Sequence, residues 1–265
     1  MDNRRPLRAI LLVIVSSCVS VANARDMWVV MGSARGPASG CSPVYTWTAD
    51  AFLHNLGPQP ASVKVIDTSN DVPKAPIDMS VLPQQAVALS RLFGDRVPPR
   101  LFVTHLSVTD SILAEGRIEY AYDFPCSTLP PLLGPVGKGL FPVFTELRQP
   151  LAPQSHFGTD LALQRARINV GIYNAGDVTA LATVETRRPG CVGGASERQS
   201  IQIPAKTIIQ TTVRTPASCD AGDPLMPTWE VSTTVTVDQP SFSYVSVVSN
   251  EQPPVTSFTI GTSGQ

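Results

Sequence analysis

The chain has 265 residues, is 43% apolar and only 15% charged, and carries a formal net charge of −1. It is too apolar for a disordered chain, and its balanced charge lacks the basic stripe that nucleic-acid binding needs. Its 25 prolines stand well above the average usage of about 5%, and they disfavour a helix-rich enzyme because proline breaks helices.

The amino terminus reads as an export signal. Arg4, Arg5 and Arg8 precede an apolar run from Ala9 to Val15, and Ala22-Asn23-Ala24 has the A-x-A form of a cleavage site. Residues 1–24 are expected to be a cleaved signal peptide. The run is shorter than the roughly 20 residues a bilayer span requires, and no transmembrane span is expected elsewhere. A competing reading takes Val15-Ser16-Ser17-Cys18 as a lipobox, with a lipid anchor on Cys18. The residues after Cys18 are less polar than a lipoprotein tether, so soluble export is preferred. Both routes leave the cytosol: the expected location is secreted or periplasmic, the alternative lipid-anchored at the outer surface or outer membrane.

Strand signals dominate the rest. Residues 46–54 and 165–173 alternate and run into Asn55-Leu56-Gly57 and Asn174-Ala175-Gly176. Asn and Gly are favoured in such turns because they tolerate positive φ. A second strand follows each turn (61–67 and 178–186), then a segment holding Pro83 or Pro204, then a closing strand pair. The offset between copies is 119 residues at the Asn-x-Gly turns, 121 at Pro83 and Pro204, and 128 at Asp110 and Asp238. The elements recur in order while loops lengthen, as in tandem domains of ordinary size. Short alternating strands separated by frequent turn signals predict an all-β fold of two antiparallel β-sandwiches. The first spans 25–126 and the second 141–265. Between them, 127–140 is a Pro/Gly-rich linker. Leu140–Thr145 is read as the counterpart of Trp28–Met31. Val235, Val237, Phe242, Tyr244, Val247 and Val248 are expected in the second core.

Without Cys18 four cysteines remain: Cys41, Cys126, Cys191 and Cys219. An even count in an exported chain predicts disulfides, and the absence of C-x-x-C spacing argues against a zinc site. A simple up-and-down strand order places the Cys191 and Cys219 loops at one pole, and Cys41 and Cys126 at another. The expected bridges are Cys41–Cys126 and Cys191–Cys219.

Four stretches carry a family resemblance: residues 28–40 (WVVMGSARGPASG), 46–65 (TWTADAFLHNLGPQPASVKV), 165–186 (RARINVGIYNAGDVTALATVET) and 231–250 (VSTTVTVDQPSFSYVSVVSN). They resemble repeat modules of secreted proteins from environmental bacteria. Those modules run through N-x-G and P-A-x-V-x-V to a closing V-x-S-D-x-P strand pair. Val237-Asp238-Gln239-Pro240 and Tyr244–Asn250 match the closing element. The first copy departs from it, with Thr109-Asp110-Ser111-Ile112 and no proline. The resemblance implies immunoglobulin-like sandwich modules, often appended to enzymes or surface proteins, and supplies no catalytic residue.

The residues point to no reaction. Gly32-Ser33-Ala34-Arg35-Gly36 is not a nucleophile elbow on a strand–turn–helix. His54, His105 and His156 are scattered without metal-ligand spacing, and no metal or cofactor is expected. The acidic loops 67–71 and 220–223 are explained by turn chemistry. Two ligand-binding candidates remain. Arg187 and Arg188, flanking the Cys191 loop, have the donors to hold a carboxylate or sulfate. Trp47 and Trp229 are suited to stacking on sugars if they face solvent, although a core role is the default in strands. The expected protein is non-catalytic, with a structural, cell-surface or interaction role and an unidentified protein or glycan partner. The alternative is an extracellular binding module for carbohydrate or protein, including a chaperone that binds peptides by β-augmentation.

Overall fold

A computed structural model describes residues 24–35, 44–69, 78–93, 100–123, 137–160, 166–188, 196–214, 229–249, 256–260 and 262–263. Among these the chain is all-β, with antiparallel sheets and a single turn of 3-10 helix at Leu89–Leu92. The first half contributes β1 (Ala24–Arg35), β2 (Val44–Asn55), β3 (Ala61–Thr68), β4 (Asp78–Val81), β5 (Ala86–Ala88), β6 (Leu101–Thr109), β7 (Ile112–Asp123), β8 (Gly137–Phe141) and β9 (Val143–Phe144). The second contributes β10 (Gln154–Asp160), β11 (Ala166–Asn174), β12 (Ala180–Arg187), β13 (Ser196–Ile203), β14 (Thr207–Thr212), β15 (Trp229–Val237), β16 (Ser241–Ser249), β17 (Thr256–Ile260) and β18 (Thr262–Ser263).

In the second half, β13-β12-β15-β10-β18 and β14-β11-β16-β17 form two sheets. Val184, Ile203 and Val235 of one meet Val170, Ile172 and Val245 of the other in a shared core. The alternation that predicted strands is visible in burial: along β12 every other residue from Ala180 to Thr186 is buried, because successive side chains point to opposite faces. In the first half β1 joins two rows, β4-β3-β6-β1 and β2-β7-β8, into one nine-stranded sheet, with β5 on β2 and β9 on β1. The rows close over Val29, Leu53, Val63, Phe102 and Leu106.

The order is not up-and-down. Strand β6 pairs with β1 and β3, whereas β7, two residues later, pairs with β2 and β8. A tight turn thus carries the chain from one row to the other, and each strand buries one face between them. The Thr186 hydroxyl donates to the Arg214 carbonyl, tying the end of β12 to the segment leaving β14.

Register also moves several expected boundaries. Gly137–Leu140, expected to end the linker, is strand: β8 pairs with Gly116–Tyr120 of β7. Val143 and Phe144 pair with β1, so this segment belongs with the first half rather than opening the second. The counterpart of Trp28–Met31 is β10, which lies on β15 as β1 lies on β6. Phe242 and Tyr244 are not in the second core. Strand parity sends Ser241, Ser243 and Val245 inward and these two rings to the opposite face.

The Asn-x-Gly turns owe their sequence to something other than positive φ. In both, the buried asparagine cross-links the turn. Asn174 Nδ2 donates to the carbonyls of Val178, Ile203 and Pro204, and its Oδ1 accepts from the Gly176 N–H. Asn55 makes the same contacts with Gln59, Val81 and Gly57. Glycine is favoured for space at the first turn, where a Cβ on Gly57 would lie 2.8 Å from Ser111 Cβ. Positive φ falls instead on Gln84 and Lys206, at 59° and 51°, in the next hairpin. These two occupy the same register position, so Pro83 and Pro204 stand one residue apart rather than in exact correspondence.

Candidate functional site: an aromatic seam and the polar cleft beside it

The outward face of β11, β14 and β16 presents Tyr173, Ile208, Phe242 and Tyr244. All four are buried, although they point away from the core of their own sheets. They pack onto Trp28, Val30, Val103, Ile118, Phe141 and Phe144 of the first half, in a third apolar cluster between the halves. Phe144 stacks on Phe242 at 3.8 Å, Phe141 meets Tyr244 edge-on at 5.1 Å, and Tyr173 lies 5.1 Å from Phe242. Gly171 makes room for this arrangement: a Cβ there would stand 2.1 Å from Tyr244 Cζ. The Tyr244 hydroxyl is satisfied by donating to Gln210 Oε1 at 2.7 Å.

Burial pushes both phenols up, Tyr244 far above its ordinary range and Tyr173 to about 12, where Asp67 across the seam adds repulsion. Because the folded-state value exceeds the unfolded one, the stabilisation is complete below about pH 10 and is lost as pH rises through about 12. We expect the wild type to lose stability over that window in denaturant titrations. Tyr173→Phe should flatten the loss, and an unchanged pH slope in that variant would contradict the assignment.

Beside the seam, four buried polar side chains form a chain of hydrogen bonds across β10 and β16. Ser243 Oγ donates to Gln154 Oε1 at 2.9 Å, and Gln154 Nε2 donates to Ser241 Oγ at 3.2 Å. His156 Nε2 lies 2.9 Å from Ser243 Oγ and extends the chain, with the donor set by the histidine tautomer. Gln154 and Ser243 line a cleft of about 180 Å³, with Val143, Phe144 and Phe242 as apolar wall and Thr145, Glu146 and Arg148 on the remaining sides. Arg148 Nη1 and Glu146 Oε2 lie 4.0 Å apart.

The sequence-selected candidates do not converge here. Trp47 is half-buried and packs against the seam rather than forming a solvent platform. Trp229 lies in β15, but its side chain lies outside the described residues, as do Cys18, Cys41, Cys126, Cys191 and Cys219. Arg187 is exposed and paired with Glu185 at 2.7 Å, while Arg188 is buried. Of the histidines, His105 stacks on Trp28 at 4.6 Å and faces Asp26 at 3.3 Å, and His54 stands 3.8 Å from Glu115. No group of three acidic, histidine or cysteine side chains suited to a metal occurs among the described residues, and no described helix is long and apolar enough to cross a membrane.

Sequence reasoning missed Gln154, Ser241, Ser243 and Arg148. The signal was present as polar residues on one parity of 154–156 and of 241–243. It is readable only once register shows that this parity points inward. The chain matches no protein-family model and no curated protein.

Proposed function

We propose that the chain is an exported, non-catalytic pair of immunoglobulin-like sandwich modules acting as one structural, cell-surface or interaction unit. The observation that carries this reading is the seam. Aromatic side chains that would otherwise sit on an exposed sheet face are buried between the halves, which resists independent motion of the two. Support for paired modules comes from strand order: β4-β3-β6-β1 matches β13-β12-β15-β10, and β5-β2-β7-β8 matches β14-β11-β16-β17. Support for export comes from the sequence alone: the basic residues Arg4, Arg5 and Arg8, the short apolar run from Ala9 to Val15, and the A-x-A site at Ala22-Asn23-Ala24.

The disulfide pairing rests on similar reasoning. Cys41 stands three residues before Val44 and Cys126 three residues after Asp123, and Val44 and Asp123 are direct cross-strand partners. Expression with the native amino terminus, followed by cell fractionation and non-reducing mass spectrometry, tests the reading. The expected product starts at Arg25, lies in the periplasm or medium, and carries Cys41–Cys126 and Cys191–Cys219. A lipid on Cys18 would select the anchored form. A cytosolic chain retaining Met1, or turnover in a panel of ester and glycoside substrates, would overturn the proposal.

A second reading, an extracellular binding module, is favoured by one observation, the cleft lined by Gln154 and Ser243.

A further inference from the structure

The two halves provide an internal control for the polar chain beside the seam. By strand register, Gln154 and His156 of β10 stand where β1 has Met27 and Val29. Ser241 and Ser243 of β16 stand where β7 has Ile112 and Ala114. Those first-half residues form part of an apolar core or pack against it. The same strand arrangement therefore closes with apolar side chains at these positions. Burying polar groups there brings desolvation costs that their mutual hydrogen bonds only offset, so the fold does not require them. They are grouped beside a cleft, and two of them line it.

We propose that this cleft binds a neutral, polyhydroxylated small molecule, one sugar ring in size. Its volume of about 180 Å³ equals that of about six liquid waters at roughly 30 Å³ each. Its polar groups fit hydroxyls rather than a net charge. Arg148 and Glu146, both in the lining, offset one another. The two buried groups, an amide and a hydroxyl, are neutral and work in both directions. Among the described residues, Gln154 has one amide hydrogen and one Oε1 lone pair left after binding Ser241 and Ser243, enough to donate to one ligand hydroxyl and accept from another. Val143, half-buried, with the margins of the buried Phe144 and Phe242, supplies the apolar side on which C–H groups of a sugar ring rest. The partner chemistry thus differs from the tryptophan platform expected from sequence: the polar floor comes from the inward faces of β10 and β16.

This inference deepens the binding reading and rests on it. It is tested by NMR on the isotope-labelled full mature chain, following the Gln154 side-chain amide. The probes, added separately, are glucose, galactose, N-acetylglucosamine, myo-inositol, serine and acetate. Saturable shifts of that amide are expected with at least one sugar or inositol. Gln154→Met, which installs the first half's residue, should weaken binding about fivefold or more, the effect of one hydrogen bond, and Glu146→Ala, which leaves the Arg148 charge in the lining uncompensated, should weaken the neutral sugars and favour acetate. Glu146 is 77% exposed, so its replacement tests the site even if Gln154→Met impairs folding. Saturation by serine or acetate alone overturns the ligand class and leaves a binding module. No saturable shift with any probe overturns both the site and the binding reading, and the structural reading still stands on its own test.

Discussion

Replacing Phe242 by alanine is expected to cost about 3–5 kcal/mol of stability, the range for truncating a large buried aromatic. Phe242 is 1% exposed. It stacks on Phe144 and touches Tyr173, so its loss opens a cavity shared by both halves. The corresponding register position in the first half is Leu113, which faces His54 as Phe242 faces Tyr173. Leu113 is 51% exposed, and Leu113→Ala should cost under about 1 kcal/mol, as surface substitutions do. Equilibrium urea unfolding of the two variants checks the contrast. Wild type should show one cooperative transition, while Phe242→Asp, which places a charge in the seam, should separate it into two. Similar small losses for Phe242→Ala and Leu113→Ala would sink the view that the seam unites the halves.

The second large effect is expected at the buried asparagines. Asn174→Ala removes the side-chain donor to the carbonyls of Val178, Ile203 and Pro204, together with the acceptor for the Gly176 N–H. Leaving even two of these groups unpaired at about 1–3 kcal/mol each gives a loss of about 3 kcal/mol. Asn174→Asp keeps the acceptor and turns the donor atom into a second oxygen facing carbonyls, so it should be no better than alanine. Were the residue present only to permit the turn's backbone angles, both substitutions would cost little, and aspartate would be the milder. Asn55, with contacts of the same kind, should respond alike. Thermal or urea unfolding distinguishes the two accounts, and a loss below about 1 kcal/mol in Asn174→Ala would remove ours.

These two cases also show where sequence reasoning reached and where it stopped. The Asn-x-Gly turns and their spacing were legible, because a turn is a local object and its residues are adjacent in the chain. The asparagine's task was not, since Val81 and Ile203 lie 26 and 29 residues away. For Phe242 and Tyr244, apolar alternation told correctly that they are buried but assigned the wrong side. A strand's two faces carry identical periodicity, and only the neighbouring sheet decides which one becomes core. The candidate site followed the same pattern. Trp47 and Trp229 were chosen as aromatics with a flat face to offer, yet Trp47 packs against the seam. Gln154, Ser241 and Ser243 read as ordinary polar strand residues, and the cleft they help to form also needs Val143–Arg148 from a different part of the chain.

Composition and periodicity by themselves determined that the chain is β-rich and antiparallel, and the described prolines lie outside its strands. Those properties follow from backbone constraints felt within a few residues. Tertiary structure decided the rest. It placed Gly137–Phe144 on the first half, set a row of aromatic rings between the halves, and gathered four polar side chains into a corner that the first half fills with apolar ones. Each depends on which strand lies beside which, and on a one-residue parity that turns a side chain from core to neighbour. The pairing of distant strands fixes that parity, and no local propensity carries it.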